Sequence, residues 1–194
     1  MIKARSICVY CGSNTGTDPV YREAAARLGR LLAESGTRMV FGGGDVGLMG
    51  VTADAALSAG GTVVGVIPQF LVDIEAGHAA LTELIVVSSM HERKHKMFEL
   101  SDAFVVLPGG LGTLDETIEI ITWKQLHLHD KPIVIVDVKG YWTTLLSLVD
   151  DVIAEGFAND DVRALFSVVS RPEDVLGALA GAPEAVIVPR PARI

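Results

Sequence analysis

Short apolar runs alternate along this chain with longer stretches in which apolar residues recur every three or four positions. The runs are rich in β-branched residues and continuously apolar, as expected for parallel strands that are covered on both faces. They predict seven strands, at residues 6–11, 38–42, 62–67, 84–87, 103–107, 132–137 and 165–169. The stretches between them carry helical periodicity, and Leu28, Leu31 and Leu32 illustrate it on the first of these stretches. The periodicity predicts helices at residues 21–35, 48–59, 90–100, 113–128, 141–155 and 172–179.

The regular alternation of strands and helices predicts an α/β fold with a doubly wound parallel sheet and right-handed crossovers. No linker or internal repeat interrupts the pattern, so we expect a single domain at residues 1–182. Residues 183–194 contain three prolines and predict an extended tail. The irregular stretch at 73–82 predicts a mobile flap.

Two glycine-rich segments each join a predicted strand to a predicted helix. The first reads Gly-Gly-Gly-Asp-Val-Gly-Leu-Met-Gly at 42–50, and the second reads Pro-Gly-Gly-Leu-Gly-Thr-Leu-Asp-Glu at 108–116. Where a helix begins after a tight turn, several backbone N–H groups lack partners, and the helix dipole favours a negative charge there. The two segments therefore predict a phosphate-bearing ligand at the carboxyl edge of the sheet.

The first glycine turn contains Gly-x-Gly-x-x-Gly spacing, but no Gly-Lys-Ser/Thr follows it, which excludes a Walker A loop. We predict that Gly43, Gly44 and Gly47 contact a phosphate or a ribose. Asp45 would repel a phosphate unless its side chain faces away. The alternative is that the glycines serve only the tight backbone geometry of the turn.

The second turn offers both a phosphate cradle and a carboxylate. Gly110 and Gly112 permit close approach of a ligand to the backbone, and the hydroxyl of Thr113 can reach a phosphate. Glu116 follows three residues later and is a candidate for the chemistry. The structural alternative is a capping box, in which Thr113 begins the helix and Glu116 bonds back to its amide.

A basic cluster at 90–96 precedes the strand that leads into the second turn. Arg93 and Lys94 could bring positive charge to the edge of the sheet, and the alternative is a solvated helix face. The same segment contains His91, Glu92 and His95 in the spacing of a zinc hydrolase. The neighbouring cations and the lack of an evident third ligand disfavour a metal, and we predict neither a metal nor another cofactor.

The composition narrows the classes of function further. A net charge of −8 disfavours a nucleic acid polymer as partner, and no apolar stretch is long enough to span a bilayer. The two cysteines, Cys8 and Cys11, lie three apart on a predicted strand and so point to opposite faces. We expect them to pack as small apolar side chains in a cytoplasmic protein rather than to act as a redox pair.

Met90-His91-x-Arg93-Lys94 and Pro-Gly-Gly-x-Gly-Thr-x-x-Glu, in this order, resemble the Lonely Guy (LOG) family. The likeness extends from Cys11 to about Gly156. These phosphoribohydrolases activate cytokinins and are often mislabelled lysine decarboxylases. The resemblance implies a Rossmann-like homodimer that hydrolyses the N-glycosidic bond of an adenine-type nucleoside 5′-monophosphate.

The resemblance also implies roles for particular residues. Arg93 and Glu116 match the catalytic positions of the family, and Glu119 lies one helical turn beyond Glu116. The positions that match substrate-binding residues are Lys94, Gly110, Leu111, Gly112, Thr113 and Thr122. A breaking ribosyl–base bond builds positive charge on the sugar, which a carboxylate can stabilise. The alternative on the same fold is a nucleotide-binding sensor without catalysis.

Overall fold

The computed structural model describes residues 4–74 and 77–182 of the 194-residue chain. The predicted tail at 183–194 lies outside the described residues, and so do two positions of the predicted flap. Within the described ranges, no helix is both long enough and apolar enough to cross a membrane.

A single sheet of seven parallel strands forms the centre of the fold, in the order β4-β3-β2-β1-β5-β6-β7. The strands are β1 (Ser6–Tyr10), β2 (Arg38–Phe41), β3 (Val63–Pro68), β4 (Glu83–Val87), β5 (Ala103–Val106), β6 (Ile133–Val136) and β7 (Ser167–Val169). All seven correspond to the apolar runs of the sequence, which confirms the predicted α/β fold with a doubly wound parallel sheet.

Helices cover both faces of the sheet. They are α1 (Pro19–Glu34), α2 (Gly47–Ser58), α3 (Gln69–Val72), α4 (Met90–Glu99), α5 (Leu111–Gln125), α6 (Thr143–Ala154) and α7 (Val175–Gly181). The first helix shows why the ends fall where they do: Asp18 accepts a hydrogen bond from the amide of Val20 at 3.0 Å, and Pro19 occupies the first turn. Beyond its end, Gly36 has a φ of +70°, which stops the helix. The sequence missed the short helix α3.

The structure corrects the start of α5. The helix begins at Leu111, and Gly110 is the N-cap residue with extended backbone and no side-chain cap. Thr113 is therefore the third residue of the helix rather than its cap, and Glu116 lies deeper in the helix than a capping box requires. The capping-box alternative is wrong, so the Glu116 carboxylate does not cap the start of the helix.

The core lies in two layers, one on each side of the sheet. Cys8 packs in one layer with Tyr10 and Phe104, and Cys11 packs in the other with Ile7 and other apolar side chains. Both cysteines are buried and unpaired. The structure thus confirms that they pack as small apolar side chains on opposite faces, as their spacing predicted.

The sheet changes direction between β1 and β5. The chain builds outwards from β1 to β4 and then returns to the other side of β1 with β5, so these two neighbouring strands form the switch point. In folds of this type ligands bind in the crevice beside the switch point, where here the amide of Gly12, after β1, donates to the carbonyl of Pro108, after β5, at 3.1 Å. The second glycine turn follows β5 and lies at this crevice.

Candidate active site

A cavity of about 450 Å³ opens at the carboxyl edge of the sheet, beside the switch point. It is lined by Cys11, Ser13, Asn14, Met49, Leu71, Met90, Arg93, Gly110, Leu111, Gly112, Thr113, Asp115 and Glu116. The structure therefore brings the predicted arginine, the predicted glutamate and residues 110–113 of the second turn to one place. The loop after β1 and helices α2, α3 and α4 supply the other walls.

The second glycine turn presents the start of α5 to this cavity. No acceptor among the residues that the structure describes is bonded to the amides of Leu111, Gly112 or Thr113. A Cβ atom added at Gly110 or at Gly112 would meet no atom within 4 Å, so both positions border open space. Unpaired amides at the positive end of a helix dipole suit an anionic group.

Glu116 enters the cavity one helical turn further along α5. Burial raises the pKa of its carboxyl group to about 7, and the charges of Asp115 and Glu119 act in the same direction. The cations of Arg93 and Lys94 oppose this increase. A carboxyl group with a pKa near neutrality can exchange protons at physiological pH, as a catalytic acid or base requires.

Arg93 reaches the opposite wall from α4. Its side chain is buried, and two of its donors bind main-chain carbonyls: Nε donates to Val66 at 3.1 Å and Nη2 donates to Gly42 at 2.9 Å. Nη1 contacts the sulfur of Met90 at 3.8 Å. Because the guanidinium carries five N–H donors in a planar fork, these contacts fix its plane and leave donors for a ligand in the cavity.

Lys94 and Glu119 form a charge cluster next to the cavity. The ammonium of Lys94 lies 3.1 Å from a carboxylate oxygen of Asp115 and 3.1 Å from one of Glu119. Burial lowers the pKa of Lys94, but hydrogen bonds to the two carboxylates outweigh it and raise that pKa above the usual value. Lys94 is therefore a cation held between two acids of the helix that carries Glu116.

Of the first glycine segment, Met49 lines the cavity, but Gly43, Gly44 and Gly47, for which the sequence predicted ligand contacts, do not. Two of the first three amides of α2 are already bonded: Leu48 and Met49 both donate to the carbonyl of Gly12, at 2.9 and 3.4 Å. The turn is also closely packed, since a Cβ at Gly47 would lie 2.2 Å from the backbone of Ser13. The start of α2 therefore offers a phosphate fewer unbonded amides than the start of α5.

The turn supports Arg93 instead. A Cβ atom at Gly42 would lie 1.9 Å from Nη2 of Arg93, so the guanidinium occupies the space that any side chain would need. Gly43 has a φ of +75° and packs beneath Ile67. Asp45 is exposed and lies outside the cavity lining, which removes the predicted repulsion. This close packing favours the alternative, that the glycines serve the tight geometry of the turn.

Thr122 also lies away from the cavity. Its hydroxyl donates to the carbonyl of Ile118 one turn earlier, at 2.7 Å, and the residue is exposed on α5. The substrate-binding role implied for Thr122 by resemblance gains no support from the arrangement of this single chain.

Glu92 and His95, two members of the zinc-hydrolase spacing on α4, have other partners. Glu92 accepts hydrogen bonds from the amide and the hydroxyl of Ser88, before the start of the helix, and His95 pairs with Glu99 at 3.2 Å. Across residues 4–74 and 77–182, no three His, Cys, Asp or Glu side chains converge as metal ligands would. The zinc interpretation of this segment therefore has no geometric basis.

Sequence reasoning missed one wall of the site. Ser13 and Asn14, from the loop after β1, line both the main cavity and an adjoining cavity of about 250 Å³. Tyr141 borders the smaller cavity and donates its hydroxyl to the carbonyl of Gly109 at 2.5 Å. The rule that places ligands at strand ends could have found Ser13 and Asn14, but Tyr141 approaches from beyond β6 and carries no such signal.

The parallel sheet, its switch point and the cavity shared by Arg93 and Glu116 define a Rossmann-like α/β protein with a candidate active site at the carboxyl edge. Solved structures show the same fold. The molybdenum cofactor binding protein from Rippkaea orientalis superposes with a TM-score of 0.69 at 23% identity, covering 90% of this chain and 94% of that one.

Sequence comparisons place the chain more closely. A family model described as "Possible lysine decarboxylase" matches residues 49–179. The probable cytokinin riboside 5′-monophosphate phosphoribohydrolase LOGL1 of Oryza sativa subsp. japonica is 49% identical over 86% of this chain and 74% of its own length. The cytokinin riboside 5′-monophosphate phosphoribohydrolase of Rhodococcoides fascians is 46% identical over 91% of this chain and 88% of its own. The protein belongs to this family, the LOG family.

Proposed function

We propose that this protein is a phosphoribohydrolase that cleaves cytokinin-type nucleoside 5′-monophosphates into the free base and ribose 5-phosphate. One observation carries the proposal: Arg93 and Glu116 line the same cavity, next to the unpaired amides at the start of α5. The names of the relatives that share nearly half of its sequence support the same activity.

The phosphate binds at the start of α5 in this proposal. The amides of Leu111, Gly112 and Thr113 donate to its oxygens, and the glycines let it approach the backbone. The apolar side chains of Met49, Leu71 and Met90 on other walls of the cavity then suit an adenine-type base. A phosphate fixed at one end and a base at the other hold the ribose between them, beside Glu116.

The chemistry follows from the charge that develops on the sugar. As the bond between the anomeric carbon and the base nitrogen lengthens, positive charge accumulates on the ribose, and an ionised Glu116 stabilises it. Water supplies the oxygen that the anomeric carbon gains, and the same carboxylate accepts a proton from that water. The base leaves with its bonding electrons and takes up a proton. The products are the free base and ribose 5-phosphate.

Arg93 contributes a fixed positive charge to the opposite side of the cavity. With Nε and Nη2 bound to main-chain carbonyls, the remaining donors face the substrate and bind ribose or phosphate oxygens. Lys94 contributes indirectly, because its contacts with Asp115 and Glu119 hold α5 against α4. The catalytic assignments are therefore Arg93 and Glu116, with Lys94 and Glu119 in support.

Lysine decarboxylation, the reaction in the description of the family model, does not fit these residues. Pyridoxal phosphate chemistry requires a lysine that becomes neutral and forms a Schiff base. Lys94, the lysine next to the cavity, is held as a cation between two carboxylates, which raise its pKa. No step through that cofactor is assigned.

A homodimer is part of the proposal. One face of α5, continued by its C-cap residue, carries exposed apolar side chains at helical spacing: Leu111 is 85% exposed, Ile118 44% and the C-cap Leu126 62%. Exposed apolar stripes on a helix are typical of surfaces that associate. Light scattering should give the mass of a dimer for the purified protein, and Ile118→Lys should shift the measured mass towards that of the monomer.

A cytoplasmic location, consistent with two unpaired cysteines, stays a prediction.

Release of free base tests the activity directly. The purified protein is incubated with AMP and, separately, with isopentenyladenosine 5′-monophosphate, and the base and ribose 5-phosphate are measured by chromatography. We expect both products in equal amounts from at least one substrate. Nucleotide binding by the folded protein without any free base would instead favour a sensor that lacks catalysis.

A further inference from the structure

The segment that returns from α3 towards β4 is fastened to the first glycine turn by His78. The imidazole is buried, with 5% of the residue exposed. Its Nε2 atom lies 3.0 Å from a carboxylate oxygen of Asp54 on α2 and 3.9 Å from one of Asp45. Its Nδ1 atom accepts a hydrogen bond from the amide of Ala80 at 3.3 Å. The ring thus carries its proton on Nε2 and donates it to Asp54.

The backbone on either side of the ring reinforces this attachment. The amide of His78 donates to the carbonyl of Gly43 at 3.1 Å, and Gly77 forms an antiparallel bridge with Gly44. The segment therefore binds the same three-glycine turn whose first member, Gly42, supports Arg93. One short stretch of backbone connects the imidazole to the carbonyl that the guanidinium binds.

We propose that His78 is a positioning residue for the reaction, which fastens the segment before β4 to the first glycine turn and thereby holds Arg93 in place. The proposal rests on the function assigned to Arg93 above. His78 contacts no substrate in this arrangement, and its effect passes through the first glycine turn to the carbonyl of Gly42 that Arg93 binds.

His78→Ala tests this role, with His78→Gln as the conservative variant because its amide can still donate to Asp54. We expect the alanine variant to lose about tenfold in kcat/KM, since small displacements of positioned groups are costly in enzymes. The glutamine variant should recover most of the loss. The matched control is His95→Ala, which removes an exposed imidazole that pairs with a carboxylate on α4 and should leave kcat/KM unchanged.

The pH profile separates positioning from a general loss of structure. Arg93 lowers the pKa of Glu116, so a displaced guanidinium should move the acid limb of kcat/KM to higher pH, by roughly half a unit. Lys94, Asp115 and Glu119, the other charges around Glu116, remain in place in His78→Ala. Mere unfolding would reduce the amount of active protein without moving the limb.

Asp54→Ala provides a second route if His78→Ala fails to fold, because Asp54 is exposed and its loss removes only the acceptor. Its control is Glu99→Ala, the acid of the α4 pair. A shift in the same direction, absent from the control, supports the proposal. An active wild-type enzyme with unchanged kcat/KM and pH profile in both His78→Ala and Asp54→Ala would overturn it, whereas an inactive wild type would overturn the proposed function instead.

Discussion

The two glycine turns are similar in sequence but differ in their hydrogen bonding and packing. Both follow a buried strand, both contain several glycines and both lead directly into a helix. At the second turn the first amides of α5 have no bonded acceptor among the described residues, and Gly110 and Gly112 border open space. At the first turn the amides of Leu48 and Met49 in α2 are bound to Gly12, and the glycines are packed against other backbone and side chains.

The two turns differ in whether a neighbouring loop accepts hydrogen bonds from the first amides of the helix. The carbonyl of Gly12, from the loop after β1, occupies the start of α2, while the amide of the same residue donates to Pro108 at 3.1 Å and reaches the second turn. One loop thus closes the first terminus and borders the second. A glycine-rich turn is therefore a potential anion site only when no other loop satisfies its amides.

The first turn still serves the site, but through Arg93. Its glycines let a guanidinium pack directly on the backbone and give that guanidinium a carbonyl acceptor. In the proposed function the second turn binds the ligand, and the first holds the arginine that faces it. Substitutions in the two turns should accordingly affect different steps.

The largest effect is expected from Glu116→Gln, at the end of the second turn. Removing the ionisable carboxyl group eliminates both charge stabilisation and proton transfer, so kcat should fall by roughly 10³-fold. Nucleotide binding, measured by calorimetry, should persist because the amides of α5 are unchanged. Glu99→Gln on α4 makes the same chemical change at an exposed site and should retain full turnover. Normal turnover in Glu116→Gln would refute the assigned role.

Gly42→Ala should have the next largest effect, through the first turn. The new methyl group would collide with Nη2 of Arg93, which lies 1.9 Å from the position of the added Cβ. Because this collision would displace the guanidinium of Arg93 from its position on the turn, we expect kcat/KM to fall by about 10–100-fold. Measured with the base-release assay, activity close to wild type would show that the packing of Gly42 is unnecessary for catalysis.

Much of this arrangement could be predicted from the sequence. The strands were evident because each buried parallel strand is a short continuous apolar run, and the edge at which ligands bind follows from that topology. Arg93 and Glu116 were identified from the motifs that carry them, and the structure places both in one cavity. Local sequence was sufficient wherever the relevant contacts lie within one element or at a strand end.

The role of the first turn could not be predicted, because it depends on contacts between distant segments. Gly12 and Leu48 are 36 positions apart in the chain, and Gly42 and Arg93 are 51 apart. The capping-box alternative for Thr113 was wrong for a related reason. Its Thr-x-x-Glu pattern matched a capping box, but the helix begins earlier, at Leu111, without any side-chain cap. An uncapped helix start leaves no side-chain signal in the sequence.

The pH dependence of kcat/KM should follow the ionisation of Glu116, at the end of the second turn. Because burial raises the pKa of Glu116 to about 7 and the proposed mechanism needs its ionised form, kcat/KM should fall about tenfold for each pH unit below 7. Asp115 raises that pKa further, so Asp115→Asn should move the acid limb to lower pH. Profiles from pH 5.5 to 9 test both expectations, and a profile that is flat across neutrality would contradict the assignment.

The smallest effect, and the sharpest test of the comparison, comes from Gly112→Ala in the second turn. A Cβ there meets no atom within 4 Å, so the melting temperature should not change. The methyl group would instead intrude where the phosphate binds and weaken about one hydrogen bond to it, which predicts a KM higher by about threefold to tenfold. Gly47→Ala in the first turn should do the reverse, because its φ of +67° and its contact with Ser13 make it destabilising whether or not substrate is present. If Gly112→Ala lowers the melting temperature and leaves KM unchanged, the two turns do not differ in the way proposed.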